Sequence, residues 1–332
     1  MWGLSPDLGI DLGTSSIIVW VRGQGVVLRE PSVVALSRQT KQTIAVGEQA
    51  RQMLGRASEN IIACRPLQQG VIADFTAARR MLSYLFDRVC GFRRLFRPQV
   101  ALCVPCAATA VERRAVIEAA MAAGAKRAYP VPRPVAAGLG AGLAVTEPCG
   151  HLVVDMGGGS TDIGVVSLAS VVLGESLRSG GADSDDAIVR WLKRSRNIIV
   201  GERTAEEIKI AIGTVAPEGD GSMSVSGRDA VSGLPVSIEV HSSELREALL
   251  EPATTVIQSI RRLLERAAPE LCADIAHNGI TLTGGASLLR GCAQLIQEQT
   301  GLRVRTADDP LCCVAVGTGK YLEMIRAGGL RA

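Results

Sequence analysis

Apolar positions along the chain keep two rhythms. Short unbroken runs of Val, Ile and Leu, bounded by Gly, Ser or Asp, read as strands buried on both faces. Residues 9–19 and 153–165 each spell such a run, a Gly-containing turn and a second run, while 32–36 and 99–104 read as further strands. Between them the spacing changes to the helical period. Residues 109–123 predict a helix stopped by Gly124. Residues 183–194 predict another, acidic in its first turn, with Ile188, Trp191 and Leu192 on one face. Thr204-Ala205-Glu206-Glu207 spells a capping box opening a third helix through Ile212. Residues 213–240, rich in Gly, Ser and alternating Val, predict a small β insertion, and 252–267 predict a helix with Pro252 in its first turn. Strands alternating with helices make the fold class α/β. No low-complexity tail or long linker interrupts the pattern.

Composition narrows this picture. A chain of 332 residues corresponds to about two domains. Its 47% apolar content supplies a large interior and excludes wholesale disorder. The net charge of +3 and 3% aromatics give neither the basic footprint nor the stacking platforms of a nucleic-acid binder, so no nucleic-acid partner is expected. Nine cysteines, odd in number and scattered, with no signal-peptide pattern, point to a reduced cytosolic protein. Cys103-Val104-Pro105-Cys106 spells C-x-x-C, but no second Cys/His pair stands at zinc spacing, and small buried hydrophobes are the preferred reading. The longest uncharged apolar stretch, 134–146, is too short and too rich in Gly to span a bilayer.

The two hairpins share one plan. In each, an aspartate ends an apolar strand and a Gly/Ser/Thr turn follows, which suggests two domains of common design facing one another. A turn whose backbone N–H groups converge is a ready phosphate cradle, and glycine permits the close approach that a Cβ would block. Gly13, Thr14, Ser15 and Ser16 supply the cradle on one side; Gly157, Gly158, Gly159 and Ser160, with Thr161, supply it on the other. Asp11 and Asp155 are then placed to hold, through water, a Mg²⁺ that bridges phosphates, since this ion keeps most of its waters. A third cluster, Gly284-Gly285-Ala286-Ser287, follows the apolar run 280–282 and lets a flat ring lie on the backbone. Glu206 and Lys209, three apart on one helix face, suit a ribose and an adenine, or form a plain surface ion pair.

Other nucleotide schemes are missing. Gly317-Thr318-Gly319-Lys320 lacks the first glycine of a P-loop, where Val314 stands, and Tyr321 replaces its Ser/Thr. Gly138, Gly140 and Gly142 are wrongly spaced for a dinucleotide fingerprint.

Together, the hairpins, the Gly-Gly turn and the segment 134–142 resemble the actin and heat-shock-chaperone ATPase superfamily, and within it the MreB family of bacterial actin homologues. Matching stretches are 30–34, 65–74, 201–209 and 282–286, so the resemblance runs from the first strand to Leu322. It implies an actin-like two-lobed fold, each lobe with a ribonuclease H-like α/β core and a smaller inserted subdomain. The implied division is 1–30, 75–145 and 310–332 (IA), 31–74 (IB), 146–181 and 250–309 (IIA), and 182–249 (IIB). It also implies ATP with Mg²⁺ in the central cleft and head-to-tail filaments at the inner face of the cytoplasmic membrane. Membrane-bound morphogenetic and cell-wall proteins are the implied partners, and cell shape and wall synthesis the implied role. By the same resemblance Asp11 and Asp155 are the metal-side catalytic carboxylates. Glu206, Glu207, Ile208, Lys209 and Gly284 to Ser287 are then the nucleoside contacts.

One departure stands out. Where the family carries glutamates, the second associated with the attacking water, this chain reads Val131-Pro132-Arg133-Pro134. Arginine accepts no proton, and losing a general base slows a reaction by about 10²–10⁴-fold. Slow ATP hydrolysis is expected, with Thr161 left to orient water and Arg133 free to pair with a phosphate. A membrane loop is expected at 90–98, where arginines flank Phe92, Leu95 and Phe96; Trp2 and Leu4 add a weak anchor. The alternative from another class is a small-molecule kinase of the same superfamily, which needs a substrate insertion and an acid to deprotonate the substrate hydroxyl. A chaperone ATPase would carry a further substrate domain.

Overall fold

The computed structural model describes residues 6–91 and 96–329. Phe92, Leu95, Trp2 and Leu4, which the sequence assigned to membrane contact, lie outside the described residues.

The chain opens with the hairpin β1 (Asp7–Leu12) and β2 (Ser16–Val21), continued by β3 (Gly25–Pro31). A small sheet of β4 (Val34–Ser37), β5 (Thr43–Val46) and β6 (Ile61–Cys64) follows, carrying the short helix α1 (Glu48–Met53). The two-residue strands β7 (Leu67–Gln68) and β8 (Val71–Ile72) form a tight hairpin. Then come α2 (Phe75–Cys90), β9 (Gln99–Val104), α3 (Ala110–Ala122), β10 (Arg127–Pro132) and α4 (Arg133–Gly140). Helix α3 is capped as its sequence predicts. The Thr109 hydroxyl accepts the Glu112 N–H, the Glu112 carboxylate accepts the Thr109 N–H, and Gly124 follows with φ +113°.

The second half repeats this design. Strands β11 (His151–Met156), β12 (Thr161–Ser167) and β13 (Ser170–Leu177) lead into α5 (Gly181–Arg196). The inserted part is β14 (Ile198–Ile199), α6 (Glu202–Ile212), β15 (Ser222–Asp229) and β16 (Pro235–His241). After it come α7 (Ser242–Glu265), α8 (Pro269–Asn278), β17 (Ile280–Thr283), α9 (Cys292–Thr300), β18 (Val304–Thr306) and α10 (Cys313–Arg326).

The two large sheets correspond strand for strand. One runs β3-β2-β1-β9-β10 and the other β13-β12-β11-β17-β18. In each, three antiparallel strands are joined by two parallel ones. Their central strands are buried along nearly their whole length, which is why their sequences are apolar runs without alternation.

Helices α4 and α10 cross between the sheets, and residues from both halves (Val131, Val135, Val153, Val166, Val314 and Leu322) share one apolar cluster there. Glycine is required at this crossing. A Cβ on Gly317 would stand 2.5 Å from the Ala136 carbonyl carbon, and one on Gly140 would stand 2.5 Å from that of Cys313. Lys320 caps the contact by donating to the Leu139 carbonyl oxygen at 2.9 Å. Of the glycines that imitate nucleotide motifs, Gly140 and Gly317 are therefore helix-packing residues, Gly319 packs on Trp20, and Gly142 stands at a positive φ with open space around it.

Two sequence expectations are corrected. Helix α6 starts at Glu202 behind Gly201, so Thr204 lies inside it and forms no capping box; Glu207, the acidic member of that box, pairs instead with Arg203 at 3.0 Å, and Glu206 stands 3.9 Å from Arg51. Helix α7 starts at Ser242, with the Glu244 carboxylate accepting the His241 N–H, and Pro252 stands in its interior. The buried stripe Leu245, Leu249, Ala253, Val256 and Ile260 runs straight through the proline, so burial outweighs the missing N–H. Helix α5 is longer than predicted by two residues at each end. The predicted β insertion is present as β15 and β16.

Candidate functional site

The two hairpins close in the same way. Gly13 N–H donates to Ser16 O at 3.1 Å, and Gly157 N–H donates to Ser160 O at 2.9 Å. Both turns follow a strand that ends in Asp-x, with Asp155 lying 144 residues after Asp11 and Gly157 the same distance after Gly13. The turns meet face to face. A Cβ on Gly159 would lie 2.7 Å from the Thr14 methyl, and one on Gly158 would collide with Ser15. Side chains larger than hydrogen would push the halves apart at this point. Both turns, Asp11 and Asp155 line a single cavity of about 600 Å³, within the size range of small-molecule sites.

The β7–β8 hairpin bridges the two turns. Gly70, at φ +83°, donates its N–H to the Thr14 hydroxyl at 3.1 Å, and a Cβ there would lie 2.9 Å from Ser160 Oγ. The sequence carried no sign of this role beyond the Gln-Gly pair itself.

At the floor of the cavity stands Arg133, the first residue of α4 and only 3% exposed. Its Nη1 lies 3.7 Å from Asp11 Oδ1 and 3.5 Å from Asp155 Oδ2, and its Nε lies 3.4 Å from Asp162 Oδ2. Burial alone disfavours the charge, but the three carboxylates outweigh it and hold the guanidinium pKa well above its ordinary value. The carboxylates have other partners as well. Cys103 Sγ donates to Asp11 Oδ1 at 2.9 Å, and burial keeps that thiol protonated. The Thr283 hydroxyl donates to Asp155 Oδ1 at 2.7 Å. Burial pushes the Asp155 carboxyl up to about 6, with Arg133 opposing the shift.

This arrangement bears on the expected Mg²⁺. An ion held by Asp11 and Asp155 needs both carboxylates turned to it, and here one guanidinium nitrogen already sits within 4 Å of both. Among the described residues no group of three or more His, Cys, Asp or Glu side chains is arranged to hold a metal ion. The residues present do not fit a divalent ion between these two aspartates.

At the far end of the cavity Gly284, Gly285 and Ala286 line one wall. Gly284 needs to be glycine, having φ +80° and its Cβ position 2.6 Å from the Met156 carbonyl carbon. Opposite it, Lys209 Nζ pairs with Asp185 Oδ1 at 2.7 Å and donates to Gly181 O at 2.9 Å. Burial pushes the Asp185 carboxyl up to about 6 although Lys209 pulls it down. Glu206 completes the polar wall, while Ile210 and Leu288 present exposed apolar faces at the mouth. Flat apolar walls with a few fixed polar groups suit a purine and a sugar.

Most of the predicted residues thus converge on one space, and some do not. Thr161 is fully buried and donates its hydroxyl to Ser179 O at 2.9 Å, so it is turned away from the cavity it was expected to serve. Glu207 pairs with Arg203 on the outer face of α6, and Ile208 is buried in the core behind it. Ser287 is buried, with its hydroxyl on Gly284 O. Phe96 is exposed on the surface. Asp162, Thr283 and Cys103 were missed because each touches the site only through partners distant in sequence, and Asp185, which lines the cavity, because its pairing with Lys209 joins two separate helices. The two C-x-x-C thiols serve different neighbours: Cys103 contacts Asp11, and Cys106 lies 3.3 Å from Ser176 Oγ.

Comparison with known proteins agrees with the geometry. The family model MreB/Mbl protein matches residues 5–328. The cell shape-determining protein Mbl of Bacillus subtilis (strain 168) is 44% identical over 319 residues, covering 96% of this chain and 96% of the relative. The cell shape-determining protein MreB of Escherichia coli (strain K12) is 46% identical over 333 residues, covering 98% and 95%. The crystal structure of MreB 5 of Spiroplasma citri bound to AMPPNP superposes with a TM-score of 0.92 at 36% identity, covering 98% of each chain. The MamK double helical filament has a TM-score of 0.81 at 24% identity and shares the fold. The fold is therefore the two-lobed actin-like one, with a sheet at the heart of each half, and the chain belongs to the MreB/Mbl family of cell shape-determining proteins.

Proposed function

We propose that this chain binds ATP between its halves and that the bound nucleotide draws the halves into a closed subunit competent for head-to-tail assembly. The reading rests on one observation: the two equivalent turns face each other across a single cavity, so one triphosphate contacts both. A ligand shifts a conformational equilibrium only through differential affinity, and a phosphate chain touching both turns supplies it in the closed form alone. The S. citri relative has been solved with AMPPNP and with ADP, which supports the same ligand class here. Gly284 to Ala286, Glu206 and Lys209 then hold the nucleoside. A contact surface that does not close on itself yields an open filament, and the four-subdomain division of the sequence reading belongs to this proposal.

Hydrolysis is proposed to be slow. The group at the strand–helix junction is a guanidinium, which cannot take a proton from water, and Thr161 is engaged elsewhere. The filament is proposed to lie on the cytoplasmic membrane through the loop containing Phe96, where it guides shape and wall synthesis with membrane-bound partners. Electron microscopy on lipid monolayers with ATP, ADP and no nucleotide tests the whole reading. Filaments only with nucleotide are expected; equal assembly without nucleotide refutes the gating. Liposome co-sedimentation of Leu95→Ser/Phe96→Ser tests the loop, and retention equal to the parent refutes it.

A further inference from the structure

The guanidinium of Arg133 is charged, buried and incompletely bonded. Its contacts with the three aspartates lie at 3.4–3.7 Å, and Nε makes no hydrogen bond. Among the described residues its one hydrogen bond runs from Nη2 to the Leu12 carbonyl oxygen, a long one at 3.4 Å. Arginine carries five N–H donors, so most of them remain open. The group also lines the cavity, with Nη1 3.9 Å from the position a Cβ on Gly157 would take, facing the phosphate turn of the second half. A fixed cation with open donors beside such a turn is suited to a phosphate, and charge-assisted arginine–phosphate bonds are among the strong ones.

We propose that Arg133 acts as the resident cation of this cleft, standing where a divalent ion would bridge Asp11, Asp155 and the phosphates, so that this chain holds nucleotide with little dependence on Mg²⁺. The inference rests on the nucleotide reading above. Charge supports it from both sides. The guanidinium already offsets the two carboxylates that would otherwise repel a triphosphate, and a divalent ion entering the same place meets a like charge that cannot ionise away. Arg133 is thereby a binding and specificity residue, deciding which cation accompanies the phosphates.

The test is calorimetric titration of the full chain with ATP, in excess Mg²⁺ and again in excess EDTA, for the parent and for Arg133→Gln. For the parent, removal of Mg²⁺ is expected to weaken binding by less than about tenfold. For Arg133→Gln the same removal is expected to cost at least about a hundredfold, with affinity recovered when Mg²⁺ is returned. A parent that loses tenfold or more in EDTA overturns the inference while leaving nucleotide binding intact. So does an Arg133→Gln protein whose metal dependence equals the parent's. Absence of binding with and without metal overturns both readings. Should Arg133→Gln fail to fold, the parent's two titrations decide the matter alone.

Discussion

Replacing Gly317 by alanine tests the crossing of α4 and α10 on which the relative placement of the halves depends. The added Cβ would lie 2.5 Å from the Ala136 carbonyl carbon and 2.9 Å from the Gly140 nitrogen. Both obstacles are helix backbone, so no side-chain rotation relieves them. Ordinary contact begins near 3.4 Å, and the helices must therefore part by about 1 Å, a gap that forfeits a quarter to a half of each dispersion contact across it. Val135, Ala136, Leu139, Val314 and Leu322 all lie in the affected cluster. Overpacking costs about 1–3 kcal/mol where neighbours can yield; with unyielding backbone on both sides, about 3–5 kcal/mol is expected. The matched control is Gly142→Ala, where φ is +76° and nothing lies within 4 Å. Only backbone strain acts there, about 1–2 kcal/mol. Urea unfolding followed by circular dichroism reads both, with midpoint shifts compared at constant slope. Equal destabilisation of the two variants would refute the packing account.

Three further outcomes are expected. Asp185 carries more protons folded than unfolded between its ordinary 3.8 and its folded value of about 6, so its burden on stability is relieved as pH falls through 6 and is greatest above it. The parent should therefore gain on Asp185→Asn by at most about 3 kcal/mol from about pH 7 to about pH 4 in denaturant titrations, and a gain in the opposite direction would be incompatible with this. Burial pushes the Cys106 thiol up to about 12, so its reaction with iodoacetamide at neutral pH should run about 10³-fold slower than that of a free thiol near 8.5; labelling at the free rate contradicts the burial. Thr109→Ala removes the cap of α3 and should cost about 1 kcal/mol of unfolding free energy, with an unchanged midpoint arguing that the cap is dispensable.

What the sequence revealed was chiefly local. Each hairpin is encoded within one short continuous segment, 8–21 and 151–166, so Asp11, Asp155 and both turns were found from apolar runs and glycine alone. Helix α3 was legible because Thr109, Glu112 and Gly124 all act within one segment. Long-range closure was not legible. Gly140 and Gly317 touch across 177 residues, and nothing near either names the other. Arg133 showed itself only as a departure from a family pattern; that it stands among Asp11, Asp155 and Asp162 depends on both sheets being in place. Local signals also misled. Thr204 and Pro252 carry helix-start chemistry, yet both helices begin earlier: α6 at Glu202 behind Gly201, and α7 at Ser242 because its buried stripe, Leu245 and Leu249 included, extends ahead of the proline.

By chain order Arg133 belongs to the first half, while Asp155 and Asp162, two of its three carboxylate neighbours, belong to the second. Prising the halves apart leaves the guanidinium with Asp11 alone on one face and two unpartnered aspartates on the other, a separation that low-dielectric surroundings resist. The subunit thus comes with its own clasp. Because the clasp is enclosed, dissolved salt screens it poorly.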